Sequence, residues 1–275
     1  MCPTENDPGQ LPLVSSVMSA SLTIQGLEVR YGDTVVLTDV NVDLPAGKSL
    51  AVIGPNGSGK STLLNAIAGI VGISAGTITY NGSPPAFVLQ STEVDRSLPI
   101  TVVDAIGLAR YPTIGLLGRF RSTDRHAIAD AMGRLGIEDL ADRQLHDLSG
   151  GQRQRVLVAQ GLAQTSDLLL LDEPVTGLDL VSRGLILDVI DREITDGRSV
   201  IVTTHDLDDA RTCDQVLLID RHAIAVGPPD DVLTEDHLVH AFGGRFIRVG
   251  DRLLLDDPHH HHQHETSAPR FSRGQ

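Results

Sequence analysis

Gly54-Pro55-Asn56-Gly57-Ser58-Gly59-Lys60-Ser61 completes the pattern G-x-x-x-x-G-K-[ST] directly after the apolar run SLAVI. In such a loop the glycines let successive backbone N–H groups curl around an anion, and a helix starting near Lys60 adds its positive end. Lys60 reaches the terminal phosphates, the Ser61 hydroxyl ligates Mg²⁺, and Thr62 beside it joins the contact set. The context carries as much weight as the letters. The preceding run is continuously apolar, as a central parallel strand buried on both faces must be, and a helical pattern continues through Ser61–Ile70. A chance glycine-rich turn lacks that strand and that helix.

The rest of the chain can be read around this unit. LTIQGLEVR and TVVLTDVNVDL, separated by Tyr31-Gly32-Asp33, read as two strands ahead of SLAVIG. Leu168–Asp172 and Ser199–Thr204 are further short apolar runs, each preceded by a helix-period segment. That alternation predicts an α/β fold with a mostly parallel sheet. Thr123–Gln144 repeats at helical spacing and is expected in a helical insertion, within a helical subdomain of about 91–165. Pro229–Phe242 reads as helix, and FIRV-GD-RLLL as a hairpin over 244–257. Residues 1–20 are expected to be a flexible extension with no signal-peptide character, and Met18 is a second candidate start. The tail from 258 to 275, opening PHHHHQH, is polar and low-complexity, and is expected to be disordered.

Composition excludes several classes. Lys and Arg number 22 against 36 Asp and Glu, a net charge of −14, and aromatics make up 3% with no Trp. Sequence-tolerant nucleic-acid binding relies on basic grooves and aromatic platforms, so nucleic acid is a poor partner for this chain. No run approaches the roughly 18 apolar residues of a membrane span. Cys2 and Cys213 lie at opposite ends and suit a reducing compartment.

Two more segments carry chemistry. Leu168-Leu169-Leu170-Leu171-Asp172-Glu173 is a strand ending in two carboxylates. Alone it is a strand end; beside a phosphate loop, Asp172 would hold the Mg²⁺ shell and Glu173 would orient or deprotonate the attacking water. Leu148-Ser149-Gly150-Gly151-Gln152 opens a helix with Ser149 as N-cap, and its glycines expose a second set of N–H groups. Simple capping does not call for two glycines and a glutamine.

Phosphate loop, LSGGQ, LLLLDEP and His205 after VIVTT, in this order, resemble the ATP-binding cassette family, from roughly Leu22 to Gly227. The resemblance implies a P-loop NTPase of the ABC type: a RecA-like core sheet with an antiparallel β subdomain and a helical subdomain. It implies ATP and Mg²⁺, sandwiched between the phosphate loop of one copy and Ser149-Gly150-Gly151 of another. Tyr31 matches the aromatic on adenine, and Gln90 the glutamine that contacts Mg²⁺ and water while sensing the partner domain. Asp179 matches the loop crossing the dimer interface, and His205 the switch histidine on the γ-phosphate. Singly, each has an ordinary structural explanation.

The interval from Lys60 to Ser149 holds no sustained heptads, unlike chromosome and repair members. A single cassette without a membrane span looks like the ATPase subunit of a transporter, on the cytoplasmic side of the cell membrane. Its partners would be permease subunits docking near Gln90 to Tyr111, a second ATPase subunit and, indirectly, an extracytoplasmic substrate-binding protein. The motifs around Gln90–Val102 and Glu173–Asp179 are similar to those of manganese, zinc and iron chelate importers. Arg96 and Val175 depart from that pattern, where aromatics are common. His259–His262 and His264 add a separate metal-ligand hint. A cassette ATPase for another cargo, or one acting on a nucleic-acid or protein complex, stays open from sequence alone.

Overall fold

The computed structural model describes residues 22–89, 99–115, 118–243, 246–249 and 252–255. The expected N-terminal extension, the stretch from Gln90 to Leu98 and the His-rich tail lie outside the described residues.

In chain order the elements are β1 (Leu22–Tyr31), β2 (Thr34–Leu44), β3 (Ser49–Ile53), α1 (Lys60–Ile67), β4 (Ala75–Tyr80), β5 (Ala86–Val88), α2 (Val102–Gly107), α3 (Tyr111–Ile114), α4 (Ser122–Arg134) and α5 (Gly150–Ala163). Then come β6 (Leu168–Leu171), α6 (Leu180–Thr195), β7 (Ser199–Thr203), α7 (Leu207–Arg211), β8 (Gln215–Asp220), β9 (His222–Gly227), α8 (Pro229–Val232), α9 (Glu235–Phe242), β10 (Phe246–Val249) and β11 (Arg252–Leu255).

The central sheet has strand order β5-β6-β7-β3-β8-β9. Its first five strands run parallel and β9 closes the edge antiparallel. A second, antiparallel sheet has order β2-β1-β4. Side chains alternate across the parallel strands. Ala51, Ile53, Leu169, Leu171, Val200 and Val202 face one core shared with α2, α4, α5 and α6. Leu50, Val52, Leu168, Leu170 and Ile201 face a second, closed by α1 and the antiparallel sheet. Burial on both faces explains why these strands are unbroken apolar runs.

Register places the chemistry. Leu171 pairs with Val202, and Val52 with Thr203, so β3, β6 and β7 end at one level. The segments after these strands converge on the carboxyl edge of the sheet, the usual ligand edge of an open α/β fold.

Several local expectations need correction. α1 stops at Ile67 and Gly69 turns left-handed (φ 72°), short of the expected Ile70. The helix in Thr123–Gln144 ends at Arg134, because Gly136 (φ 56°) reverses the chain. Pro229–Phe242 is two helices, broken at Leu233, with the Thr234 hydroxyl accepting from His237 N–H to cap the second. β4, β5, β8 and β9 are additions to the strands expected from sequence. The expected hairpin is present, with Val249 opposite Arg252.

Candidate functional site

The phosphate loop is shaped by close approaches that only glycine permits. A Cβ on Gly54 would strike the carbonyl oxygen of Ile219 in β8, and one on Gly59 (φ 103°) would strike Leu37 in β2. The end of β8 holds the loop a second time, through Arg221 N–H to Ser58 O at 2.9 Å. Lys60 is 6% exposed, and its ammonium donates to Gly54 O at 2.8 Å and Pro55 O at 3.2 Å.

The loop opens into a cleft of about 430 Å³ whose lining includes Asn56, Gly57, Gly59, Lys60, Ser61 and Thr62 on one side and Glu173, Thr176 and His205 on the other, with Val36 of β2 at the rim. Ser58 Oγ is buried without a hydrogen-bond partner among the protein groups. Left-handed glycines, a lysine and hydroxyls at a helix N-terminus, facing a carboxylate, are groups that suit a magnesium–nucleoside triphosphate.

The carboxylate side is held by Thr203. Its hydroxyl donates to Asp172 Oδ1 at 2.7 Å and accepts from Glu173 N–H at 2.8 Å. Asp172, 5% exposed, also donates its N–H to Val88 O at 3.0 Å. Glu173 has φ 47°, left-handed backbone that non-glycine residues seldom adopt. Its Oε1 lies 2.5 Å from His205 Nε2. That hydrogen bond, with the nearby His205 and Lys60 charges, holds the Glu173 carboxyl below the ordinary range against the opposing pull of burial.

His205 is steadied by the helix beyond it. Asp206 caps α7 through Asp208 N–H at 2.8 Å, and Arg183 of α6 bonds both Asp206 (2.9 Å) and Asp209 (2.7 Å). Burial, then the neighbouring Asp206, pushes the Asp209 carboxyl up.

The LSGGQ turn lies apart from the lining of this cleft. Ser149 Oγ accepts from Gln152 N–H at 3.2 Å, and Gln152 Oε1 accepts from Ser149 N–H at 3.0 Å. Gln152 therefore completes a capping box, so capping does account for the glutamine. A Cβ on Gly151 would come within 2.6 Å of Asp179 Oδ2, which places the turn against the start of α6. Asp179 caps that helix, accepting from Ser182 N–H at 2.9 Å and Val181 N–H at 3.1 Å. Those bonds hold its carboxyl below the usual range.

Of the residues picked out from sequence, Asn56, Gly57, Gly59, Lys60, Ser61, Thr62, Glu173 and His205 line one cleft. Gly54, Ser58 and Asp172 are buried in its supports. Ser149, Gly150, Gly151, Gln152 and Asp179 form a separate cluster. Tyr31, 51% exposed, ends β1 opposite Thr34, two residues from Val36. Gln90 lies outside the described residues. Sequence reasoning misses Thr203 and Arg183, because their partners are set by strand register and helix packing.

Comparison with known proteins agrees with this architecture. The ABC transporter family model matches residues 37–176. The manganese transport system ATP-binding protein MntB of Bacillus subtilis is 35% identical over 241 residues, 85% of this chain and 96% of that protein. The zinc transport system ATP-binding protein TroB of Treponema pallidum is 35% identical over 238 residues, 84% of this chain and 90% of that one. A solved ABC transporter assigned to the metal-chelate type, in an inward-facing conformation, superposes with a TM-score of 0.74 at 28% identity, covering 86% of this chain and 95% of that one. With a family match across half its length and relatives along most of it, the chain belongs to the ABC transporter family, as the subunit that binds and hydrolyses ATP to drive a membrane permease.

Proposed function

We propose that the chain powers import of a transition-metal cation, working as a homodimer on the cytoplasmic face of a permease fed by an extracytoplasmic binding protein. The observation that carries the cargo is the similarity, 35% along more than four-fifths of the chain, to proteins named for manganese and zinc transport. The clustered histidines His259–His262 and His264 are consistent with it. Among the described residues no helix is long and apolar enough to cross a membrane, which leaves the crossing to partner subunits.

In this reading Tyr31 stacks on adenine, the N–H groups of Gly57, Gly59 and Lys60 cradle the phosphates, and Lys60 exchanges its loop carbonyls for phosphate oxygens. Ser61, Asp172 and Gln90 would hold Mg²⁺, which would supply neutralisation of phosphate charge. Glu173 takes up the proton of the attacking water, and His205 contacts the terminal phosphate. Ser149, Gly150, Gly151 and Gln152 of a second copy close over the cleft, with Asp179 at the junction. Two features support that dimer: the signature turn lies apart from its own cleft with Ser149 and Gly150 exposed, and Leu180 and Val181 beside Asp179 are 87% and 70% exposed.

The deciding experiment is recovery of the tagged chain from detergent-solubilised native membranes, then reconstitution with whatever permease accompanies it. ATP-dependent uptake of Mn²⁺ or Zn²⁺ into vesicles supports the proposal. A permease that moves neither metal discards the cargo, and purely soluble partners discard transport.

A further inference from the structure

We infer that Thr203 is a positioning residue for Glu173: its hydroxyl, fixed between Asp172 and the backbone of Glu173, aims the Glu173 carboxylate into the cleft. The inference rests on the assignment of Glu173 as the water-activating base.

The proton arrangement is forced by chemistry. An amide N–H can only donate, so the Thr203 oxygen accepts from Glu173 N–H at 2.8 Å. The single hydroxyl proton is then directed to the Asp172 carboxylate at 2.7 Å. Thr203 is fully buried, so water does not substitute for either partner. Glu173 holds a left-handed φ of 47°, a conformation that persists only where its surroundings impose it. The bond from Glu173 N–H to the Thr203 hydroxyl ties the peptide between Asp172 and Glu173 to the end of β7. Strand register puts Thr203 there: Leu171 pairs with Val202, so the next residues, Asp172 and Thr203, stand side by side.

A valine has nearly the volume of threonine and no hydroxyl. Thr203→Val leaves both the Glu173 N–H and an Asp172 oxygen without this partner, while the strand stays filled. The left-handed peptide is then free to relax, and the carboxylate loses its aim at the water.

The test is steady-state ATP hydrolysis by the full-length chain at saturating Mg²⁺, with kcat and KM separated. Thr203→Val is expected to lower kcat by ~10–10²-fold with KM for ATP near the wild-type value. Thr203→Ser recovers most of that loss, and Thr203→Val added to Glu173→Gln lowers kcat no further. If Thr203→Val fails to fold by circular dichroism, Thr203→Ala takes its place under the same criteria. Wild-type kcat in Thr203→Val, or the full loss repeated on the Glu173→Gln background, overturns the inference. Normal turnover by Glu173→Gln alone instead overturns the base assignment beneath it.

Discussion

Glu173 Oε1 and His205 Nε2 are hydrogen-bonded at 2.5 Å across the ends of β6 and β7, adjacent strands of the central sheet. The residue assigned to activate water and the residue assigned to contact the terminal phosphate thus occupy each other. While the bond stands, the carboxyl is held below its ordinary range and is a weaker base than a free glutamate. If His205 contacts the terminal phosphate as proposed, a phosphate oxygen competing for it would remove the leading cause of that depression and couple nucleotide arrival to base strengthening.

Glu173→Gln is therefore expected to keep ATP binding and lose hydrolysis by ~10²–10⁴-fold, because the amide can accept from water without taking its proton. Nucleotide binding by fluorescence titration, alongside phosphate release, checks both halves. Near-normal turnover would refute the role.

The same contact makes an acid-stability prediction. Glu173 is depressed in the folded protein, so its contribution is present above the ordinary value of 4.5 and is lost as pH falls through the lower folded value. Thermal melts of wild type and Glu173→Gln should differ most above the ordinary value of 4.5 and converge as pH falls through the lower folded value. A gap that widens on acidification contradicts the sign.

Two glycines separate folding from function. Gly54 meets the Ile219 carbonyl, a backbone atom that cannot step aside, so Gly54→Ala should destabilise by about 1–3 kcal/mol. Gly150 has open space around its Cβ direction and no left-handed backbone. Gly150→Ala should leave stability unchanged or raise it by about 0.4–1 kcal/mol, while ATP hydrolysis falls if a second copy presents this turn to phosphate. Chemical denaturation paired with ATPase assays reads both. Unchanged stability of Gly54→Ala would show that the Gly54 approach is not what shapes the loop.

These cases show how much is legible in the sequence. The phosphate loop and the Asp172-Glu173 strand end announce themselves because their contacts are made by consecutive residues. The cap on α5 is readable from Ser149, but the return bond from Gln152 emerges only from the geometry. β4 escapes notice because AGTITY is mostly exposed and its alternation is confined to Thr77–Tyr80, where only Ile78 and Tyr80 reach the core. The helical pattern to Gln144 overextends the helix because its periodicity runs on past Gly136, where the backbone turns. Thr203 belongs to neither kind of signal. Its partners lie 30 and 31 residues away, and the β6–β7 register alone brings them together.

Glu193 of α6 is another such long-range residue. Its carboxylate bonds Arg134 of α4 at 2.6 Å and Arg198 ahead of β7 at 2.6 Å, and Glu193 and Arg198 are each 9% exposed at the side chain. Arg198 also reaches Gly161 O in α5 at 3.4 Å. Removing the carboxylate strands a buried guanidinium, so Glu193→Ala should cost about 3–5 kcal/mol, a fall in Tm of roughly 6–20 °C for a domain of this size. Arg134→Ala removes the more exposed partner, 23% at the side chain, and leaves Glu193 paired with Arg198, so it should cost about 1 kcal/mol or less. Melting both variants decides the matter: a large, unequal pair of shifts makes Glu193 the buried tie between α4 and the core sheet, and equal small shifts would mean that the ion pairs stabilise neither.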